Sequence, residues 1–122
     1  MKIKTSELTG AALDWAVAAC EEKIEKRRDN LYRFPFLVSH AKYSTDWALG
    51  GPIIEREWLD ITPWPNESDE GLRWQCIQHD NIDCTAFGLT PLVAAMRCLV
   101  ASKLGAEVDT PDELVLPGAD AA

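Results

Sequence analysis

The chain has 122 residues, 47% of them hydrophobic and 26% charged. That is enough for one compact domain burying roughly two thirds of its unfolded surface, and too little for two ordinary domains. Twelve Lys/Arg against twenty Asp/Glu leave a net charge of −8. The composition excludes a wholly disordered chain, and the apolar runs fall short of the ~20 residues a membrane span needs. No basic-then-apolar leader opens the sequence, so secretion is not expected.

The charge is uneven. Residues 1–33 carry seven bases and six acids, residues 34–122 five bases and fourteen acids. Direct nucleic-acid binding calls for a basic stripe that displaces counterions, and none is expected here. The one dense basic cluster, Lys23, Lys26, Arg27 and Arg28, is interleaved with Glu21, Glu22, Glu25 and Asp29. It reads as a solvated helix face with i,i+4 pairs, a phosphate-contacting patch being the lesser alternative. Four cysteines (Cys20, Cys76, Cys84, Cys98) permit two disulfides, but a chain without a leader points to a reducing cytosol. Cys20 and Cys98 lie in helical apolar patterns, where a thiol serves as a small buried hydrophobe.

In chain order, residues 2–5 read as a short strand and 6–10 as a turn or a short helical approach. A first helix is expected from about Ala11 to Arg28, because Leu13, Ala16, Val17, Cys20 and Ile24 fall on one face at helical period. Leu31 to Val38 is aromatic and β-prone, and fits a strand or extended arm. Ser44 to Pro52 reads as a loop or single helical turn ended by the glycine pair. Ile53 to Ile61 fits a strand or a short helix. Residues 62–66, with two prolines, form a connector unsuited to a central strand. Residues 72–79 read as a strand with Trp74 and Cys76 on one face, and 79–83 as a polar turn.

The second helix has the clearest signals. Thr90 is its N-cap and Pro91 its first residue. Leu92, Ala95, Met96, Leu99, Val100 and Leu104 form its apolar stripe. Lys103 suits the last turn, and Gly105 the left-handed cap. Beyond it, residues 105–122 hold five acids and no base. Leu114, Val115 and Leu116 are expected to dock locally.

Several stretches carry candidate chemistry. In the segment Ser44 to Glu55, Ser44, Thr45 and Asp46 offer donors and acceptors, Trp47 a flat stacking surface, and Gly50 and Gly51 an approach to backbone N–H groups. A base on Trp47 with phosphates near those amides is one reading. In the other, Ser/Thr/Asp starts a helical turn, Trp47 plugs the core and Gly-Gly-Pro ends the turn. No phosphate-loop or dinucleotide fingerprint is present. Five tryptophans are many for this length. Trp15 suits core or interface, while Trp58 and Trp64 flank the proline-rich turn and suit either a contact surface or a local mini-core. Arg97 lies off the apolar stripe, which places it at the surface or in a salt bridge. It could serve as an anion partner if the second helix flanks the Trp47 segment. Cys76, His79 and Cys84 offer soft ligands at C-x2-H-x4-C spacing, with Cys98 or Asp83 to complete a set. The paired knuckle of a zinc site is missing, so no metal or other cofactor is expected. A Cys84–His79 hydrolase lacks a visible oxyanion site. His40 is isolated and reads as a loop residue.

Three blocks together resemble a known family. They are Met1 to Ala18 (MKIKTSELTGAALDWAVA), Ser44-Thr45-Asp46-Trp47 with Gly50 to Glu55 (GGPIIE), and Thr90 to Gly105 (TPLVAAMRCLVASKLG). In this order they resemble the NinX family of small proteins from lambdoid phages and their prophages, over most of the chain. Residues 59–86 match loosely. Phe87-Gly88-Leu89-Thr90-Pro91 stands where related sequences have Gly-Pro before the last helix. The resemblance carries over no functional residue. It implies action in the bacterial cytosol during infection or from a prophage, as an accessory modulator. Unrelated small phage proteins sequester nucleotide signals of host immunity, a parallel of lifestyle and not of motif.

The sequence therefore predicts a small α+β domain over 1–116 with a tail at 117–122. Two main helices pack on a short, mainly antiparallel sheet drawn from 2–5, 31–38 and parts of 53–79. The expected function is non-enzymatic capture of a nucleotide-like small molecule by Ser44, Thr45, Asp46, Trp47, Gly50 and Gly51, with Arg97 as anion partner. The alternative is an acidic modulator of a basic host or phage protein, sensitive to charge reversal at 107–113. Self-association of the aromatic surface is a further expectation.

Overall fold

The computed structural model describes residues 1–21, 41–64, 73–79 and 81–114. Within them lie β1 (Lys2–Lys4), α1 (Gly10–Cys20), α2 (Trp47–Glu57), β2 (Leu59–Pro63), β3 (Trp74–Gln78), β4 (Asn81–Gly88), α3 (Pro91–Leu104) and β5 (Glu107–Asp109), with 3-10 turns at Thr5–Glu7 and Asp112–Leu114. The α+β class holds. The strand expected at 31–38, the far end of the first helix and the 117–122 tail lie outside the described residues.

The strands form two separate antiparallel sheets, β1–β5 and β2–β3–β4. This departs from the single sheet expected from 2–5, 31–38 and 53–79. β1 pairs with β5 from the far end of the chain, Ile3 opposite Val108. β4 lies in a segment read in part as a turn. Its inward residues are small (Cys84, Ala86 and Gly88, all buried), so they give little hydrophobic signal. They are small because α3 lies close. A Cβ on Gly88 would stand 2.6 Å from the Ala94 backbone N. Pro63 is in a strand after all, at the last residue of edge strand β2, where a missing N–H is tolerated.

α3 is the central element. It lies against β2, β3 and β4 and also meets α1 and α2. Its capping is as expected: Thr90 Oγ1 accepts from Val93 N at 3.1 Å, and Pro91 occupies the first turn. Gly105 has φ 94° and ψ −167°, a region open almost only to glycine rather than the left-handed helical cap expected. Covered on several sides, α3 is buried from Leu92 through Val100 apart from half-buried Val93. α1 is likewise buried from Ala12 to Ala18, and both lack a clear polar face.

The largest correction is α2. The helix runs from Trp47 through Gly50, Gly51 and Pro52 to Glu57 instead of ending at the glycines. Asp46 caps it, its side chain accepting from Ala48 N at 2.9 Å. Gly50 packs tightly. A Cβ there would meet Leu92 Cδ1 at 2.5 Å and the Tyr43 carbonyl oxygen at 3.0 Å. This contact and burial of Ile53 hold the helix together across a proline that cannot donate to the preceding turn.

Candidate functional site

The residues expected to bind ligand divide into a scaffold and a surface. Ser44 is buried, and its backbone N donates to Asp14 Oδ1 at 2.8 Å. Its side chain also hydrogen-bonds this carboxylate. Asp14, itself only 5% exposed on α1, is held above the usual carboxylate range by burial. The two Ser44 bonds and the charge of Lys42 oppose that rise. This contact ties the 42–46 turn to α1. Within the turn, Thr45 N and Asp46 N both donate to the Lys42 carbonyl oxygen, at 3.2 and 2.8 Å. Asp46 is committed to its cap. Gly50 N donates to the Asp46 carbonyl oxygen at 3.0 Å, so this amide serves the helix.

Thr45 and Trp47 are exposed, and the space over Gly51 is open. Trp47 is 53% exposed, so the core-plug alternative does not hold. Arg97 also departs from expectation. It is 7% exposed, and burial lowers its pKa. Nε donates to the Leu8 carbonyl oxygen and Nη1 to that of Phe87, each at 2.9 Å. The guanidinium thus fastens the approach to α1 and the end of β4 onto α3. Being off an apolar stripe does not mean surface on a helix covered on several sides.

A base that sequence reasoning passed over, Lys42, lies in the turn that leads into α2. It is exposed and makes no ion pair among the described residues. It is the only base between residues 34 and 55, a signal available before the structure.

The Cys/His set separates. Cys76 on β3, Cys84 on β4 and Cys98 on α3 are all buried, whereas His79 is exposed at the end of β3. Cys84 Sγ donates to the Cys98 carbonyl oxygen at 3.5 Å, and Cys98 Sγ to that of Cys84 at 3.4 Å. Burial pushes the Cys84 thiol up to about 11. A hydrogen bond with Cys76, with burial, pushes Cys98 up too. Among the described residues no three His, Cys, Asp or Glu side chains are grouped to hold a metal ion.

The other tryptophans part company. Trp15 is buried, with no partner for Nε1 among the described residues. Trp64 is half-buried and edge-on to Phe87, ring centroids 5.1 Å apart. Trp58 is 62% exposed. At the far end of α2, Arg56 holds Glu21 with two bonds of 2.8 and 2.7 Å and Glu57 with one of 2.9 Å. Lys103 reaches Glu57 at 3.3 Å. Burial pulls the Glu57 carboxyl up, but its bonds from Arg56 and Lys103 prevail and leave it lowered. In the acidic stretch 107–113, Asp109 and Asp112 each accept from the Met1 ammonium at 3.2 Å, so two of its carboxylates are engaged internally.

These features define a small α+β protein whose exposed aromatic side chains stand on a capped helix packed against a central one. Among the described residues, no helix is long and apolar enough to cross a membrane. The family profile described as Bacteriophage P22, NinX matches residues 4–103, and the chain belongs to that family. A search of curated proteins gave no match.

Proposed function

We propose that this phage-encoded protein acts by binding rather than catalysis, inside the bacterial host cell, and that it captures a nucleotide-like small molecule whose base stacks on Trp47. The observation that carries the reading is the half-exposed indole on the first turn of a helix fixed by its Asp46 cap and by the Asp14–Ser44 contact. An aromatic ring held on rigid backbone loses little entropy when a base settles on it, and such stacking contributes about 1–3 kcal/mol. Lys42, exposed in the adjoining turn, supplies the charge for a phosphate. Arg97 has no part in it. A nucleotide signal of host immunity is the biological ligand the reading favours.

The test is thermal shift and tryptophan fluorescence against nucleotides, cyclic oligonucleotides and ADP-ribose derivatives. A ligand at about 100 times its dissociation constant stabilises the fold by about 2.7 kcal/mol. Trp47→Ala should keep the fold and weaken binding about tenfold or more. A flat response across the panel, or a hit indifferent to Trp47→Ala, ends this reading.

A further inference from the structure

Trp58 carries an inference that does not depend on Trp47. Among the described residues it is the most exposed of the large hydrophobic side chains, at 62%. It is also the one non-glycine residue with positive φ among the described residues (φ 55°, ψ 50°). It ends α2 at a left-handed position that glycine or asparagine fills at less cost. Neither packing nor backbone preference accounts for a tryptophan there.

The ring is nonetheless held. The His79 ring lies 5.6 Å away, centroid to centroid, with the planes at 57°. His79 N donates to the Trp58 carbonyl oxygen at 3.1 Å, fixing the α2–β2 corner to the end of β3. The indole is thus a preordered knob, and little freedom remains to lose on docking.

The charge around it selects the partner. Glu55 lies one turn back along α2, and Asp60 two residues on in β2. Both are exposed and make no ion pair among the described residues. The base of this segment, Arg56, is already held by Glu21 and Glu57. An exposed indole with uncompensated carboxylates three residues before it and two after, on a chain of net charge −8, suits a cation above the ring. Arginine meets it best, since a guanidinium stacks flat and pairs with a carboxylate. An anionic ligand is repelled, and so is a second copy of an equally acidic chain.

We infer that Trp58, with Glu55 and Asp60, forms a docking surface for an arginine-bearing basic segment of a protein partner.

The test is a titration of the full chain, following the five indole N–H resonances by NMR. The probe is a capped Ala-Arg-Ala-Arg-Ala peptide, with the matching glutamate peptide as control. Trp58→Gly and Trp58→Phe identify the resonance independently, and glycine accepts this backbone without strain. The expected result is a saturable shift of the Trp58 signal with the arginine peptide and none with the glutamate peptide. The Glu55→Gln/Asp60→Asn double variant should weaken binding about threefold to fivefold, in keeping with an exposed cation–π contact and its flanking charges. Three results overturn the inference: no movement of the Trp58 signal, equal movement with both peptides, or movement that follows protein concentration alone and so reports a second copy.

Discussion

Gly51, Gly50 and Gly88 are predicted to respond differently to the same substitution. A Cβ on Gly88 would lie 2.6 Å from Ala94 N, 2.9 Å from Val93 Cγ1 and 3.1 Å from Ala94 Cα. The first and last of these are backbone atoms, so no side chain can swing aside. To recover an ordinary 3.4 Å contact the first turn of α3 must retreat from β4 by about 0.8 Å, disturbing the layer where Cys76, Ala86 and α3 meet. Overpacking costs about 1–3 kcal/mol, and backbone contact puts Gly88→Ala near the top of that range. Alanine returns about 0.5–1 kcal/mol of chain entropy, leaving a loss of about 2 kcal/mol. Gly51 has nothing within 4 Å of its Cβ position and lies inside α2, so Gly51→Ala should gain about 0.5–1 kcal/mol. Gly50→Ala should fall between them, within about 1 kcal/mol of the parent, because Leu92 Cδ1 can rotate away but the Tyr43 carbonyl must give. Thermal unfolding followed by circular dichroism reads the series. At roughly 3–5 °C per kcal/mol for a chain this size, Gly88→Ala should melt about 6–10 °C lower and Gly51→Ala about 2–4 °C higher. If the two shift in the same direction, the placement of α2 and of the β4–α3 contact is wrong.

Three further outcomes follow from buried groups. Arg97→Met leaves the Leu8 and Phe87 carbonyls without their donor, at about 1–3 kcal/mol each. Relief from burying a cation offsets part of this, and urea unfolding should show a net loss of about 2–4 kcal/mol. A gain would mean that the carbonyls find other partners. Asp14 titrates above its ordinary 3.8 in the folded protein, so its contribution to stability is full below that value and declines as pH rises through the folded pKa. Asp14→Asn, which still accepts from Ser44 N, lacks that decline. Unfolding free energies between about pH 3 and about pH 7 should therefore move in the variant's favour as pH rises, and the opposite slope would refute the burial argument. Finally, burial holds Cys20 at about 12 and Cys84 at about 11. Maleimide at about pH 8 should label the native protein slowly and the denatured protein at all four thiols. Rapid native labelling of Cys84 or Cys98 would contradict their burial between β4 and α3.

The sequence was most legible where local grammar and tertiary structure agree. Thr90-Pro91 at one end and Gly105 at the other bound α3, because caps act within a few residues. Trp74 to Gln78 alternates clearly enough to read as a strand. Legibility failed where packing overrides local preference. Gly50-Gly51-Pro52 has every sign of a stop, yet α2 continues because Gly50 lets it settle on Leu92 and its far end is held through Arg56. β4 hides because residues facing a closely packed helix must be small. Arg97 was misplaced by a helical-wheel argument that assumes one wet face. In the candidate site, residue types were readable, but their commitments were not. Nothing local shows that Ser44 is bound to Asp14, thirty residues away, or that Arg97 is bound to the Leu8 and Phe87 carbonyls.

The pairing of β1 with β5 has a kinetic consequence. Three residue pairs join positions more than a hundred apart, and closing a loop of that size costs about 4 kcal/mol of chain entropy. So short a ribbon cannot meet this alone, and it can form only once the intervening helices and sheet have brought its halves together. The two ends should therefore join last on folding and part first on unfolding, so that amide exchange at Ile3 and Val108 runs ahead of exchange in α3. Deleting either strand should have nearly the same effect as deleting the other, because each is without a partner until the rest of the molecule exists.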